Sequence, residues 1–203
     1  MAMQSLELLI ITSFALVAIF AVVPVILQQI YYYQALVEMR SASAFFNLVA
    51  DSLESDMGAA FAQRVINLPS LRFGSLKYSV AQMGMCGGAA VFNTTFVYES
   101  QYLSVAGMLR GVNWGKVVYA PDTPIAVRGW GTSLSMAPRV VKYGDIAVVL
   151  NITYTAAQRA SGVALYYNIT APVAYNAGDC ALDGVDLSGV SKVLVVPVRL
   201  ELR

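Results

Sequence analysis

From Leu8 to Ile30 the chain reads LLIITSFALVAIFAVVPVILQQI, an almost wholly apolar run broken by Thr12, Ser13, Gln28 and Gln29. A helix needs about 20 such residues to cross the hydrocarbon core of a bilayer. Beyond Tyr31 the run turns amphipathic. Leu36, Met39, Ala42, Phe46, Val49, Leu53, Met57, Ala60, Phe61 and Val65 recur at helical spacing. Glu38, Arg40, Asp51, Glu54, Asp56 and Arg64 mostly lie off that stripe. The pattern predicts one helix over residues 5–67, apolar in its first half and continuing into water in its second. Asn67 and Pro69 end it. The stripe is expected to pack on the chain's own C-terminal part along one arc and on neighbouring helices along another.

Two residues set this segment apart from a plain anchor. Glu7 opens the apolar run with no basic residue near it in sequence. A carboxylate at the edge of hydrocarbon is costly and persists where a cation neutralises it. Pro24 removes a backbone bond and crowds the preceding turn, so a kink or local unwinding is expected there. Tyr31-Tyr32-Tyr33 suits an interfacial aromatic belt. A secretory signal is disfavoured, since the run exceeds the length of such an h-region, no basic stretch precedes it and no A-x-A site follows. The segment is expected to be retained.

The rest of the chain must also hide apolar surface. Of 203 residues 58% are hydrophobic and 12% charged, against about 25% charged in ordinary soluble domains. Neighbouring copies are the simplest cover. With net charge +1 and no basic cluster, nucleic acid is not an expected partner. The chain has no histidine, so its serine, threonine and cysteine side chains lack the commonest general base. No catalytic constellation is found, and neither an enzyme activity nor a cofactor or metal is expected. Asp179, Asp183 and Asp186 lack calcium-loop spacing and read as a solvated loop. Trp114 and Trp130 read as packing anchors.

Past Ser70 the period changes to that of strands. Segments 72–81, 89–99, 102–109, 116–119, 125–130, 139–141, 146–154, 162–169 and 193–202 are rich in Val, Tyr, Thr and Phe. Turn residues at Gly87-Gly88, Pro121-Asp122, Gly144-Asp145 and 176–179 separate them. The expected fold class is therefore α+β, with residues 1–69 as helix and 70–203 as an antiparallel, sandwich-like β domain. Cys86 and Cys180 lack the spacing of a redox motif and read as a structural disulfide in an oxidising, extracytoplasmic compartment. Asn93, Asn151 and Asn168 open N-x-[ST] triplets and are glycosylation candidates.

The stretch Met3-Gln4-Ser5-Leu6-Glu7-Leu8-Leu9-Ile10, the apolar run after it and Pro24 resemble the N-terminal segment of type IV pilins, most closely archaeal pilins and archaellins with class III signal peptides. The resemblance covers about the first 60 residues. It implies a prepilin-type peptidase cutting between Ala2 and Met3, where Met1-Ala2 lacks the basic residue usual in such leaders. That cut puts Glu7 where the family carries its glutamate, and Pro24 where bacterial pilins carry a helix-breaking proline. It further implies a subunit held in the cytoplasmic membrane before assembly machinery builds it into an extracellular filament for adhesion or motility. Met3, Glu7 and Pro24 would serve assembly, Glu7 pairing with the N-terminal amine of an adjacent copy. The alternative is a single-pass anchored β domain that acts without polymerising, as a receptor, envelope or stator component.

Overall fold

The fold, seen in a computed structural model, describes residues 2–156 and 164–202. Its first element, α1, spans Ala2–Asp56, 55 residues and about 80 Å at 1.5 Å per residue. Pro24 lies inside α1 and the backbone stays helical on both sides, so the expected local unwinding is not seen. Thr12 donates to the Leu8 carbonyl at 2.9 Å and Ser13 to that of Leu9 at 2.7 Å. Both hydroxyls of the apolar run are thus satisfied within the helix, as a hydrocarbon environment demands.

The helix stops at Asp56, short of the expected Asn67. Gly58 follows almost at once, the Ala59 N–H turns back to the Asp56 carbonyl at 2.9 Å, and Phe61 takes a left-handed φ of 67°. The chain then enters a strand, β1 (Gln63–Asn67), with Ile66 buried and Val65 exposed, a period of two. Ala60, Phe61 and Val65, expected on the helical stripe, are exposed.

The strands that follow are β2 (Gly74–Cys86), β3 (Ala89–Ser100), β4 (Gly107–Arg110), β5 (Val117–Tyr119), β6 (Ile125–Trp130), β7 (Ser133–Pro138) and β8 (Val140–Tyr143). After them come β9 (Ile146–Ala156), β10 (Ala164–Ile169), β11 (Val173–Asn176), β12 (Cys180–Leu182) and β13 (Lys192–Leu202). The expected start of one strand at 162 lies outside the described residues. Segment 102–109 forms a strand only from Gly107, while β7, β11 and β12 are additional. Gly144, at φ 61°, turns β8 back onto β9, in line with the turn expected there.

A seven-stranded sheet runs β1-β10-β13-β9-β8-β5, with β11 also on β13, and a six-stranded sheet runs β12-β2-β3-β7-β6-β4. Pairing is mostly antiparallel, and the α+β class holds. Two pairs depart from the all-antiparallel expectation. β13 runs parallel to β9 from Lys192↔Ile146 to Leu202↔Ala156, and β5 runs parallel to β8. The sheets also meet through side chains. Thr94 donates to the Ile152 carbonyl at 2.6 Å, and Asn151 Oδ1 accepts from the Phe92 N–H at 2.8 Å.

The main core joins both sheets to α1. Ala35, Met39, Ala42, Phe46, Val49 and Leu53 pack among Phe96, Tyr98, Leu134, Ile152, Tyr167 and Leu200. Each large apolar side chain so buried stabilises the joint by about 1.5–3 kcal/mol. A second core, with Met83, Cys86, Val91, Val149 and Val193, lies under the 175–190 segment.

Candidate functional site

The helix has two environments. Every residue from 7 to 34 is exposed, among them Leu8, Phe14, Phe20 and Ile26. From Ala35 onward one face is buried. Among the described residues α1 is the one helix long and apolar enough to cross a membrane. Glu7 and Pro24 both sit in its uncovered half, and Glu7 makes no ion pair among the described residues. Met3 lies on the first turn, its side chain outside the described part. The three residues expected to serve assembly, Met3, Glu7 and Pro24, thus lie on one helix, ahead of the part that the β domain covers.

Where the helix leaves the β domain, rings and a buried carboxylate fix it. Tyr31 packs 5.9 Å from Phe73 and 6.4 Å from Tyr102, centroid to centroid. Two turns further on, Glu38 is 6% exposed. Its Oε2 accepts from the Arg72 N–H at 2.6 Å, the Phe73 N–H reaches both oxygens at 3.1 and 3.0 Å, and the Tyr98 hydroxyl donates to Oε1 at 2.7 Å. These donors stand in for the cation that a buried carboxylate otherwise needs. Burial and the Glu38 carboxylate push the Tyr98 phenol far above its ordinary pKa. Gly74 clears the way, because a Cβ there would lie 2.4 Å from the Tyr98 ring and its oxygen.

The far end of the helix repeats the device with a cation added. Asp56, 8% exposed, takes two bonds from Arg64 at 2.7 Å each and one from the Tyr167 hydroxyl at 2.7 Å. The Arg64 guanidinium, helped by the Tyr167 and Ser55 hydroxyls, holds the Asp56 carboxyl below the usual carboxylate range despite its burial. Between the two ends, Arg110 on β4 bridges Asp51 at 2.6 Å and Glu54 at 2.5 Å. Glu38 and Asp56, expected off the apolar stripe, are buried on it. The signal was in the spacing, since 18 residues make about five full turns and return to the same face.

Cys86 and Cys180 form the expected disulfide, facing each other across the β2–β12 pair over a sequence separation of 94. The three sequon asparagines all sit inside strands, Asn93 on β3, Asn151 on β9 and Asn168 on β10. The amide oxygens of Asn93 and Asn168 are buried. Asn151 uses both ends of its amide, donating to the Ala90 carbonyl at 3.2 Å besides its bond from Phe92. A glycan on Asn151 would break the link between the sheets. Neither tryptophan is a core anchor, since Trp130 is 71% exposed and Trp114 half-buried. The loop expected over Asp179, Asp183 and Asp186 is interrupted by β12, and beyond it Asp186 accepts from the Ser188 N–H at 2.8 Å and its hydroxyl at 2.6 Å.

Comparison of the chain with family models, with curated proteins and with solved structures finds no match in any of the three.

Proposed function

We propose that this protein is the subunit of an extracytoplasmic filament of the type IV pilus kind, polymerising through the uncovered half of α1. One observation carries the reading. Residues 7–34 are helical and exposed throughout and mostly apolar, while residues 35–56 are locked into the β domain by a core and buried carboxylates. A span of that length, about 42 Å, needs lipid or other helices around it. In the membrane lipid covers it; in the filament, copies of the same helix do, and the exchange costs little because both surroundings are apolar.

The disulfide fits an oxidising compartment, which favours the β domain outside the cell. The outer shell of the filament would then be β domains, and its core would be helices. Glu7 pairs with the N-terminal amine of an adjacent copy after a prepilin-type peptidase has cut ahead of Met3. Such a pair in a dry core sets axial register more than it adds stability.

Electron microscopy of material sheared from expressing cells tests the proposal, with mass spectrometry of the subunit's N-terminus. The expected result is long filaments with this chain as subunit, beginning at Met3. Absence of filaments together with a monodisperse monomer in detergent rejects polymerisation and leaves the single-pass anchored domain.

A further inference from the structure

The face of the six-stranded sheet turned away from α1 carries a cavity of about 310 Å³. Its floor is made by short side chains on three adjacent strands, Thr95 on β3, Ser135 and Ala137 on β7 and Ala126 on β6. Ala126 stands opposite Ala137 and Arg128 opposite Ser135. Larger residues at these places would fill the hollow. The loop between β4 and β5 brings Trp114 and Lys116 over it. The Arg128 guanidinium lies 4.5 Å from the Trp114 ring centroid and 5.9 Å from that of Trp130. Two aromatic faces within about 6 Å orient it without neutralising it.

The lining carries more positive charge than it balances. Arg139 has its counter-charge in Asp122, at 3.1 Å. Among the described residues no carboxylate pairs with Arg128 or Lys116, whose ammonium donates to the Asp183 carbonyl at 3.2 Å. A guanidinium held by aromatic faces and left without a counter-charge is a ready partner for an anion.

Charge and hydroxyls together specify the ligand. Arg128 and Lys116 call for an anion, and a carboxylate matches the planar guanidinium. The Thr95 and Ser135 hydroxyls on the floor can each give or take a bond. A neutral sugar supplies hydroxyls without the charge, and a simple carboxylate the charge without the hydroxyls. We infer that this cavity binds one acidic sugar unit, its carboxylate toward Arg128 and Lys116 and its hydroxyls toward Thr95 and Ser135. The volume lies at the small end of ligand pockets, about 300–1,000 Å³, and suits a single ring. The site uses no residue of the helix, so it stands or falls separately from filament assembly.

Isothermal titration calorimetry of the full-length protein in detergent with glucuronate, glucose and acetate tests the assignment. Glucuronate is expected to bind saturably and at least about tenfold more tightly than either control, one charge-assisted bond sufficing for that ratio. Arg128→Gln and Lys116→Gln each remove one cation, and Lys116 is exposed. Each is expected to weaken glucuronate about tenfold or more with the melting temperature unchanged. No saturable heat with glucuronate, equal binding of glucose or acetate, or binding untouched by both substitutions overturns the assignment.

Discussion

The Tyr98 hydroxyl donates at 2.7 Å to Glu38, a carboxylate buried 34 residues before the Arg72 N–H that it also accepts. Helix, connecting segment and β3 meet at this one side chain. Tyr98→Phe removes one bond to a charged group and is expected to cost about 1.5–3 kcal/mol. Glu38→Ala strands the phenol and two backbone N–H groups and is expected to cost more, at least about 3 kcal/mol. Denaturant unfolding of the two variants and of the double variant measures the coupling. Independent, additive effects would show that the bond contributes nothing.

Acid acts at the other end of the helix. The Asp56 carboxyl titrates below its ordinary value in the folded chain, so its contribution is complete above the unfolded-state value near about 3.9 and fades as pH falls through the lower folded one. Asp122 shifts the same way, since Arg139 and the Thr123 and Val112 N–H groups outweigh its burial. Melting temperature is therefore expected to stay level down to about pH 5 and to drop below about pH 4. Asp56→Asn should melt lower at neutral pH and lose part of the acid slope. An unaltered slope in that variant would assign the acid sensitivity elsewhere.

Joining Cys86 to Cys180 closes a loop of 94 residues. Chain-entropy arguments give such a closure about 4–5 kcal/mol. Reductant in mild denaturant is expected to lower the melting temperature of the β domain, and Cys180→Ala to melt at that lower temperature with or without reductant. Identical melting of the native chain in both conditions would contradict this.

Glu7 is exposed and makes no ion pair among the described residues, so Glu7→Ala is expected to leave the unfolding curve unchanged and to cut filament yield sharply. Glu7→Gln, which keeps a polar atom without charge, should assemble poorly too. Quantifying sheared filaments against total subunit separates assembly from folding. Normal yield from both variants would remove Glu7 from any role in register.

How much of this was legible in the sequence depends on the range of the interaction. The apolar run and the stripe at Met39, Ala42, Phe46, Val49 and Leu53 are local patterns, and the structure buries that stripe. The stripe misleads at Phe61 and Val65, whose helical spacing from Leu53 and Met57 is fortuitous. Gly58 and the alternation of Val65 and Ile66 mark the change to a strand. β7 lacks the compositional mark of a strand, since SLSMAP has no β-branched or aromatic residue, although Leu134 and Met136 alternate inward. The parallel pairing of β9 with β13 joins segments about 45 residues apart, and each reads as a strand without naming its partner. Glu38 and Asp56 show the same limit, because their donors Tyr98 and Tyr167 come from remote strands. The outer cavity was out of reach altogether, being made of small residues whose meaning lies in what they leave empty.

The five-turn separation of Glu38 and Asp56 governs how the joint bears force. A pull along the helix axis shears both carboxylates, the Arg110 bridge and the intervening core at once, so resistance is shared over about 27 Å. A sideways pull peels from the Tyr31 end and meets the ring contacts, Ala35 and Glu38 one after another. A tether made this way is tough when stretched lengthwise and yields when bent at its neck.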